Sequence, residues 1–215
     1  MPKSSKIKRP YNSTRRQAQA RETRQQIIEA ARRLFSEYGY AGATIDAIAQ
    51  EAGVAAETIF ATFGNKRTIL ARLIAVAVGG DDQTVPLLER SGPQAVLQER
   101  DPARKLQLFA EDISKILERV APIFTIMRVA AKTEPDIAEL LKNVLEERLR
   151  TLGAMVQSLT AHGPLRTGLD VTQGTDIVWT LTSPEVFTLL TVDRGWPREK
   201  YVDWLSDTLI RLLLP

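Results

Sequence analysis

Two short helical patterns meet at one glycine within residues 45–63, and this corner constrains the fold more than any other feature of the chain. Ile48 and Ala49 lie on the apolar face of the first pattern, and Ile59 lies on the apolar face of the second. Two helices that cross steeply need a small residue at their contact, and the turn between them needs a residue that tolerates positive φ. Ala49 and Gly53 meet these needs four residues apart. The corner therefore predicts a helix-turn-helix.

The residues around the corner also predict where the neighbouring helices begin and end. A first helix is expected to end at Gly39, because a left-handed C-cap favours a residue without Cβ. Thr44 is a suitable N-cap for the helix that leads into the corner. Asn65 is a suitable N-cap for a fourth helix, which the apolar spacing extends to about residue 78.

Apolar residues continue at helical spacing through residues 79–215, and no segment alternates convincingly as a strand does. Pro122 is expected to interrupt the helix that starts at Pro102, and Pro135 is expected to open a long one. Ser183 and Pro184 are expected to restart or kink a further apolar helix. The predicted fold class is therefore all-α. The predicted parts are an arm at residues 1–13, a helix-turn-helix domain at residues 14–78 and a helical domain at residues 79–215.

Charge is concentrated at the beginning of the sequence. Residues 1–33 hold ten basic and two acidic residues, a balance of +8, whereas the whole chain carries only +3, so the remainder carries −5. A basic head on a mildly acidic body indicates a polyanionic partner at that end. A flexible basic tail with no binding role would show the same composition.

Several classes of function find no support in the sequence. There is no cysteine, which suits a reducing compartment, and the only histidine is His162, so a metal site would need carboxylates almost alone. The sequence contains no glycine-rich phosphate loop, paired-histidine motif or G-x-S-x-G motif. No apolar run is long enough for a membrane span, and none follows the basic start as in a signal peptide. We therefore expect a cytoplasmic protein that is not an enzyme and has no metal, cofactor or membrane partner.

Residues 44–70 resemble the helix-turn-helix segment of the TetR family of transcriptional regulators. Residues 179–209 look like the C-terminal dimer helices of one branch of that family. The resemblance implies an N-terminal DNA-binding domain followed by a helical ligand-binding and dimerisation domain. It also implies three partners, namely a palindromic operator in double-stranded DNA, a small-molecule effector and a second copy of the chain.

The resemblance assigns DNA contacts to the second helix of the motif, and phosphate contacts to Thr44 and Lys66. Phe60 stands where the family often has tyrosine, so a hydroxyl contact to phosphate is lost. Because the exposed face is small and nearly uncharged, we expect basic residues of the N-terminal segment to supply much of the affinity. The predicted DNA-binding residues are Arg15, Arg16, Thr44, Ala55, Ala56, Glu57, Thr58, Phe60, Thr62 and Lys66.

The resemblance also implies a ligand pocket in the helical domain, although apolar residues at helical spacing are equally typical of an ordinary core. The predicted ligand-binding residues are Phe109, Ile113, Ile116, Phe124, Met127, Arg128 and Trp179. The last two helices are apolar almost all round, which is more than one chain's core requires. The predicted dimer-interface residues are Phe187, Trp204, Leu205, Leu209 and Leu212.

These patterns support two functional hypotheses. The first is a ligand-responsive transcriptional regulator, most simply a repressor that an apolar or amphipathic small molecule releases from its operator. The second is a dimeric helical scaffold for protein interactions without regulated DNA binding. Only the first predicts a DNA affinity that falls steeply with salt.

Overall fold

The computed structural model describes residues 13–83 and 85–215, and these residues form helices joined by short loops, without any strand. The helices are α1 Ser13–Gly42, α2 Ile45–Ala52, α3 Ala56–Phe63, α4 Lys66–Gly79, α5 Ser91–Gln98, α6 Pro102–Ala130, α7 Pro135–Thr160, α8 Val171–Leu181, α9 Pro184–Thr188 and α10 Arg198–Leu213. A 3-10 turn precedes α5, and a π-helical turn at Leu189–Asp193 continues α9. Among the described helices, none is both long enough and apolar enough to cross a bilayer.

Helices α1–α4 form what we call the head. The expectation that α1 ends at Gly39 is wrong, because the helix resumes after this residue and ends at Gly42. Gly39 has φ 70° and ψ 174°, a conformation that is essentially restricted to glycine, and it kinks α1 a few residues before the helix ends. The side chain of Thr44 accepts a hydrogen bond from the Ala47 N–H. The side chain of Asn65 accepts one from the Thr68 N–H. Both predicted N-caps are therefore confirmed.

One hydrophobic core joins the head to helices α5–α10, which we call the body. Ile27 and Phe35 of α1 and Ile59 of α3 are fully buried in this first core. Ile123 and Met127 of α6 belong to the same core, so α6 packs directly on the head. Helix α4 runs to Gly79, within a residue of the predicted domain boundary. The division into separate domains at residue 78 stays a prediction, because the two parts share this core.

A second core holds the body together. It contains Leu106 of α6, Val156 of α7, and Tyr201, Leu205 and Leu209 of α10, all at 0% exposure. The Tyr201 hydroxyl donates to the Leu181 carbonyl oxygen at 3.2 Å, which satisfies the one polar atom of this buried ring. The second core therefore fixes α8 and α10 against α6 and α7.

The expectation that Pro122 interrupts a helix is wrong, because α6 runs without a break from Pro102 to Ala130. Pro122 is exposed on α6, and so is Glu118, the residue whose carbonyl loses its helical N–H partner. Its neighbours Ala121 and Ile123 are buried in the two different cores. Packing on both sides therefore keeps the helix continuous, which the local sequence alone does not reveal.

Candidate functional site

The corner between α2 and α3 has the geometry that its sequence predicted. Gly53 adopts a left-handed conformation with φ 67° and ψ 32°. The Gly53 N–H donates to the Gln50 carbonyl at 3.2 Å, and the Val54 N–H donates to the Ala49 carbonyl at 3.0 Å. This pair of bonds is a Schellman motif, which ends α2 and redirects the chain into α3. Ala49 is buried at the helix contact.

Helix α3 presents a small and weakly charged outer face. Its predicted DNA-contacting residues are exposed or partly exposed, namely Ala55, Ala56, Glu57, Thr58, Phe60 and Thr62. Phe60 is the largest of them and is 54% exposed. The Thr62 hydroxyl donates to the Thr58 carbonyl at 2.7 Å, so its oxygen remains available as an acceptor. The inner face carries Ile59 and holds α3 against the first core.

The two predicted phosphate contacts outside α3 also have structural roles. The hydroxyl oxygen of Thr44 accepts the capping bond from α2 at 3.1 Å, and its own proton remains free to donate. The Lys66 ammonium donates to the Tyr40 carbonyl at 2.7 Å and lies 4.2 Å from the centre of the Tyr40 ring. Burial lowers the pKa of Lys66. Lys66 therefore fastens the start of α4 to the end of α1.

The basic residues of the N-terminal segment fall partly within the described structure. Arg15 and Arg16 lie in the first turns of α1, and both side chains are exposed. The predicted flexible arm lies outside the described residues except for Ser13, where α1 begins. The described part of the basic segment therefore lies on an exposed helix.

A cavity of about 610 Å³ opens in the body between α4, α6, α7 and the loop that follows α4. Helix α4 contributes Ile74 and Val78 to its wall, and α6 contributes Ile113, Ile116 and Phe124. A volume of this size suits a small organic ligand, and the mainly apolar lining is typical of ligand pockets.

Two arginines hold the loop after α4 against this cavity. Arg90 donates to the Gly79 carbonyl at 2.6 Å and to the Asp81 carboxylate at 2.9 and 3.0 Å. These bonds hold the pKa of Asp81 well below its usual range, at about 2. Arg72 of α4 forms an ion pair with Asp82. The loop is therefore pinned to the C-terminal end of α4.

Arg148 of α7 also lines the cavity, and it is partly buried. Its guanidinium carbon lies 4.0 Å from the centre of the Trp179 ring. Its Nη2 donates to the Trp179 carbonyl at 2.6 Å and to the Thr182 hydroxyl at 3.0 Å. Loss of water contact is the main cause that lowers the pKa of Arg148, to about 10, so the side chain stays charged at neutral pH.

Comparison with known sequences identifies the family. Residues 27–73 match the profile of the family described as bacterial regulatory proteins, tetR family. Over 135 residues the chain is 30% identical to the HTH-type transcriptional repressor AcnR of Corynebacterium glutamicum, a match that covers 60% of this chain and 70% of AcnR. The chain belongs to the TetR family. It is therefore a TetR-family transcriptional regulator with a helix-turn-helix for DNA binding.

Solved structures of TetR-family regulators share the whole architecture. NalD, the secondary repressor of the MexAB-OprM multidrug efflux pump in Pseudomonas aeruginosa, has a TM-score of 0.68 at 21% identity, covering 91% of this chain and 98% of NalD. FadR of Bacillus subtilis, solved in complex with stearoyl-CoA, has a TM-score of 0.64 at 23% identity, covering 86% of this chain and 97% of FadR. At these identities the likeness establishes the fold. The predicted all-α fold is confirmed.

The structure brings only some of the predicted ligand-binding residues to the cavity of this TetR-family chain. Ile113, Ile116 and Phe124 line it. Phe109 instead lines a small side chamber of about 50 Å³ that Ile113 and Ile116 also border. Met127 does not reach the cavity, because it is fully buried in the first core.

The two polar or aromatic residues predicted for the pocket are also misplaced. Arg128 is nearly half exposed and forms an ion pair with Glu185 at the surface. Trp179 does not line the cavity; its ring stacks on Arg148 instead. Arg128 therefore does not border the cavity, and its role as a polar handle stays a prediction, whereas Arg148 is the arginine of α7 that borders the cavity.

The spacing of residues along α7 indicates that Arg148 faces the cavity. Arg148 stands four residues after Val144 and four before Leu152, and all three line the cavity. A charged residue at this spacing lies on the inward stripe of the helix. The loop arginines carry no such signal, because their positions depend on how the chain folds back after α4.

Three of the predicted dimer-interface residues are internal to a single chain. Phe187 is buried in the second core, and Leu205 and Leu209 are fully buried there. These three side chains therefore offer little or no surface to a partner in a single chain, and their place in a dimer interface stays a prediction. Trp204 is partly exposed, and Leu212 is 37% exposed, so both remain available to a second copy.

Proposed function

We propose that this TetR-family regulator is a dimeric repressor that leaves its palindromic operator when an apolar or amphipathic small molecule fills the cavity. The observation that carries the proposal is that the cavity and the first core share several side chains. Ile74, Val120 and Phe124 belong to the first core and also line the cavity. Because α4 begins directly after the helix-turn-helix, an occupant that displaces α4 also displaces the head.

Helix α3 is the element that would enter the major groove, which accommodates one α-helix. Phe60 and the methyl groups of Thr58 and Thr62 suit contacts with thymine methyl groups, and Glu57 suits a cytosine amino group. The side chains of Arg15 and Arg16 would contact phosphates. Such a repressor works on DNA in the cytoplasm.

The named relatives support both halves of this proposal. AcnR and NalD are repressors by name. FadR was solved with a small molecule, stearoyl-CoA. The cavity gives this chain a place for an effector of its own.

Release requires that the effector bind the conformation that does not fit DNA more tightly than the one that does. A preference of about 100-fold corresponds to roughly 2.7 kcal/mol and gives a usable switch. The effector therefore has to act on α4 and on the first core behind it.

The partner surface of the proposed dimer lies in the C-terminal helices. In the π-helical turn, Leu189 and Val192 are exposed apolar residues, and Leu212 lies at the end of α10. A two-fold dimer would cover such residues on both copies with the same patch. Two heads on one dimer would then read the two halves of a palindrome.

The experiment that tests effector control fills the cavity and compares two isoleucines of α6. Ile116 lines the cavity, whereas Ile126 lines a groove on the other side of the helix. An operator is first selected from random duplex DNA, and apolar and amphipathic compounds are screened for its release by fluorescence anisotropy. Ile116→Trp should keep operator affinity and lose the response, and Ile126→Trp should keep the response. A compound that releases Ile116→Trp as well as the unmodified protein would contradict the proposal.

The salt dependence of DNA binding distinguishes the proposed regulator from the alternative function, a scaffold without regulated DNA binding. A regulator should lose duplex affinity steeply between 50 and 200 mM salt, on the order of the loss that several phosphate contacts produce. Removal of residues 1–12 should weaken binding to all sequences alike and flatten that dependence. Binding that ignores both salt and the basic segment would favour the scaffold.

A further inference from the structure

The charges around the cavity are balanced except at one position. Three of the charged residues that line it have partners of opposite sign, and the pairs are Arg72 with Asp82, Arg90 with Asp81, and Glu147 with Arg150. Arg148 is the fourth. In the described part of the chain, it forms no ion pair with any carboxylate.

The hydrogen bonds of Arg148 occupy only one corner of its guanidinium group. Nη2 donates to two neutral acceptors, the Trp179 carbonyl and the Thr182 hydroxyl. Within the described residues, Nε and Nη1 donate to no protein atom, and no buried side-chain nitrogen lacks a partner. Nε and Nη1 are therefore accessible. They lie on opposite sides of the guanidinium, so each can donate to an anion separately, whereas both edges that bind a carboxylate with two parallel hydrogen bonds include Nη2.

The surroundings hold the guanidinium in place without neutralising its charge. The Trp179 ring stacks on the guanidinium and fixes its plane. Glu185 attracts Arg148 from a greater distance, but the Glu185 carboxylate is bound to Arg128 at the surface. A partly buried charge without a paired counter-charge is costly, and an anion brought by a ligand would relieve that cost.

We propose that the effector is an organic anion, with a carboxylate or similar group that accepts a hydrogen bond from Nε or Nη1 of Arg148 and an apolar body in the cavity. The apolar body would lie against Ile113, Ile116 and Phe124, which line the same cavity. This inference rests on the proposed function for its biological meaning. The charge preference of the cavity, however, is a property that binding alone can measure.

The test compares three probes that share a ten-carbon tail and differ only in head group: decanoate, decan-1-ol and decyltrimethylammonium. Each is titrated into the full-length protein, without DNA, in a calorimeter. Decanoate should bind at least 10-fold more tightly than the alcohol, and the cationic probe should bind most weakly. Decanoate binding that is no tighter than that of the alcohol, or absent, would overturn the proposal.

Substitutions then test whether Arg148 causes the preference for decanoate. Arg148→Gln should remove it, and Arg148→Lys should keep part of it, because the charge remains while the planar guanidinium held against Trp179 is lost. Lys142→Gln is the matched control, since Lys142 lies on α7, is mostly exposed and does not line the cavity. Circular dichroism checks that each variant is folded. A preference for decanoate that survives in folded Arg148→Gln would overturn the assignment to Arg148.

The two proposals fail in different ways. Tight binding of decanoate that leaves operator affinity unchanged would contradict the proposed effector control. It would still support the anion site. Release of the operator by decan-1-ol, without tighter binding of decanoate, would support effector control. It would contradict the anion site.

Discussion

At the scale of single residues, Gly53 shows how one backbone conformation sets the corner. A Cβ at Gly53 would meet no atom within 4 Å, so the cost of Gly53→Ala lies in the left-handed backbone alone. We expect a loss of about 1–2 kcal/mol in the free energy of unfolding. Gly153→Ala is the control, because Gly153 lies inside α7, where a Cβ would be 3.8 Å from Thr175. Urea denaturation should show a gain of up to about 1 kcal/mol there. Equal effects at both sites would contradict this account of the corner.

Lys66, a predicted phosphate contact, also holds the start of α4 to the end of α1. Its ammonium group is bound to the Tyr40 carbonyl, so we expect Lys66→Met to lower the melting temperature and to leave the salt dependence of DNA binding unchanged. Arg15→Gln makes the opposite comparison. It should leave stability unchanged and reduce the slope of log affinity against log salt by about 1.8, because the proposed dimer would lose one phosphate contact, worth about 0.9, in each subunit. A smaller slope for Lys66→Met would restore its role as a phosphate contact.

At the scale of elements, the loop after α4 depends on the ion pair between Arg90 and Asp81. Arg90 lowers the pKa of Asp81 from 3.8 to about 2, so the folded chain loses this carboxylate's charge at a lower pH than the unfolded chain does. The stabilisation is complete above pH 3.8 and is lost as the pH falls towards 2. Asp81→Asn should therefore lower the urea midpoint at pH 6, and the difference from the unmodified protein should shrink towards pH 2. Asp207→Asn, at an exposed position of α10, is the control and should show no such trend.

Local signals predicted the elements well because caps and helical periodicity act over a few residues. Thr44, Gly53 and Asn65 each fix a boundary through bonds to near neighbours, and the sequence shows them directly. Pro122 was misjudged because packing against two cores outweighs a lost helix bond, and packing is not local. The cavity was only partly predicted. The same apolar side chains line a pocket or fill a core, so the sequence could not separate Phe124 from Met127.

At the scale of the whole molecule, the first core explains how ligand binding in the cavity and DNA binding by the head can be coupled. Phe124 lies in the wall of the cavity and also in the core that holds α1 and α3. Close-packed interiors transmit small displacements, since neighbouring side chains have no free space to absorb them. The head and the cavity are therefore neighbours across one layer of side chains, and no long relay of residues is required.

Dimerisation also concerns the whole molecule, and the exposure of each side chain decides which substitutions can test it. Leu209 is fully enclosed by its own chain, so Leu209→Glu should unfold the protein instead of separating two copies. Val192 is 70% exposed in the π-helical turn next to the C-terminal helix, and a charge there can remain in water in a single chain. Val192→Asp therefore separates loss of association from loss of folding.

Val192→Asp should convert the dimer to monomers in sedimentation velocity while the helical circular dichroism signal stays unchanged. The physical reason is that the two-fold axis would bring two such carboxylates into one apolar patch, where each loses water and gains no partner. Val129→Asp is the matched control, because Val129 is 63% exposed but lies at the end of α6 and not in the π-helical turn or α10. It should remain dimeric. Loss of the dimer in Val129→Asp together with its retention in Val192→Asp would move the interface from the C-terminal helices to the end of α6. Operator affinity should follow the dimer, since a monomer holds only one half-site.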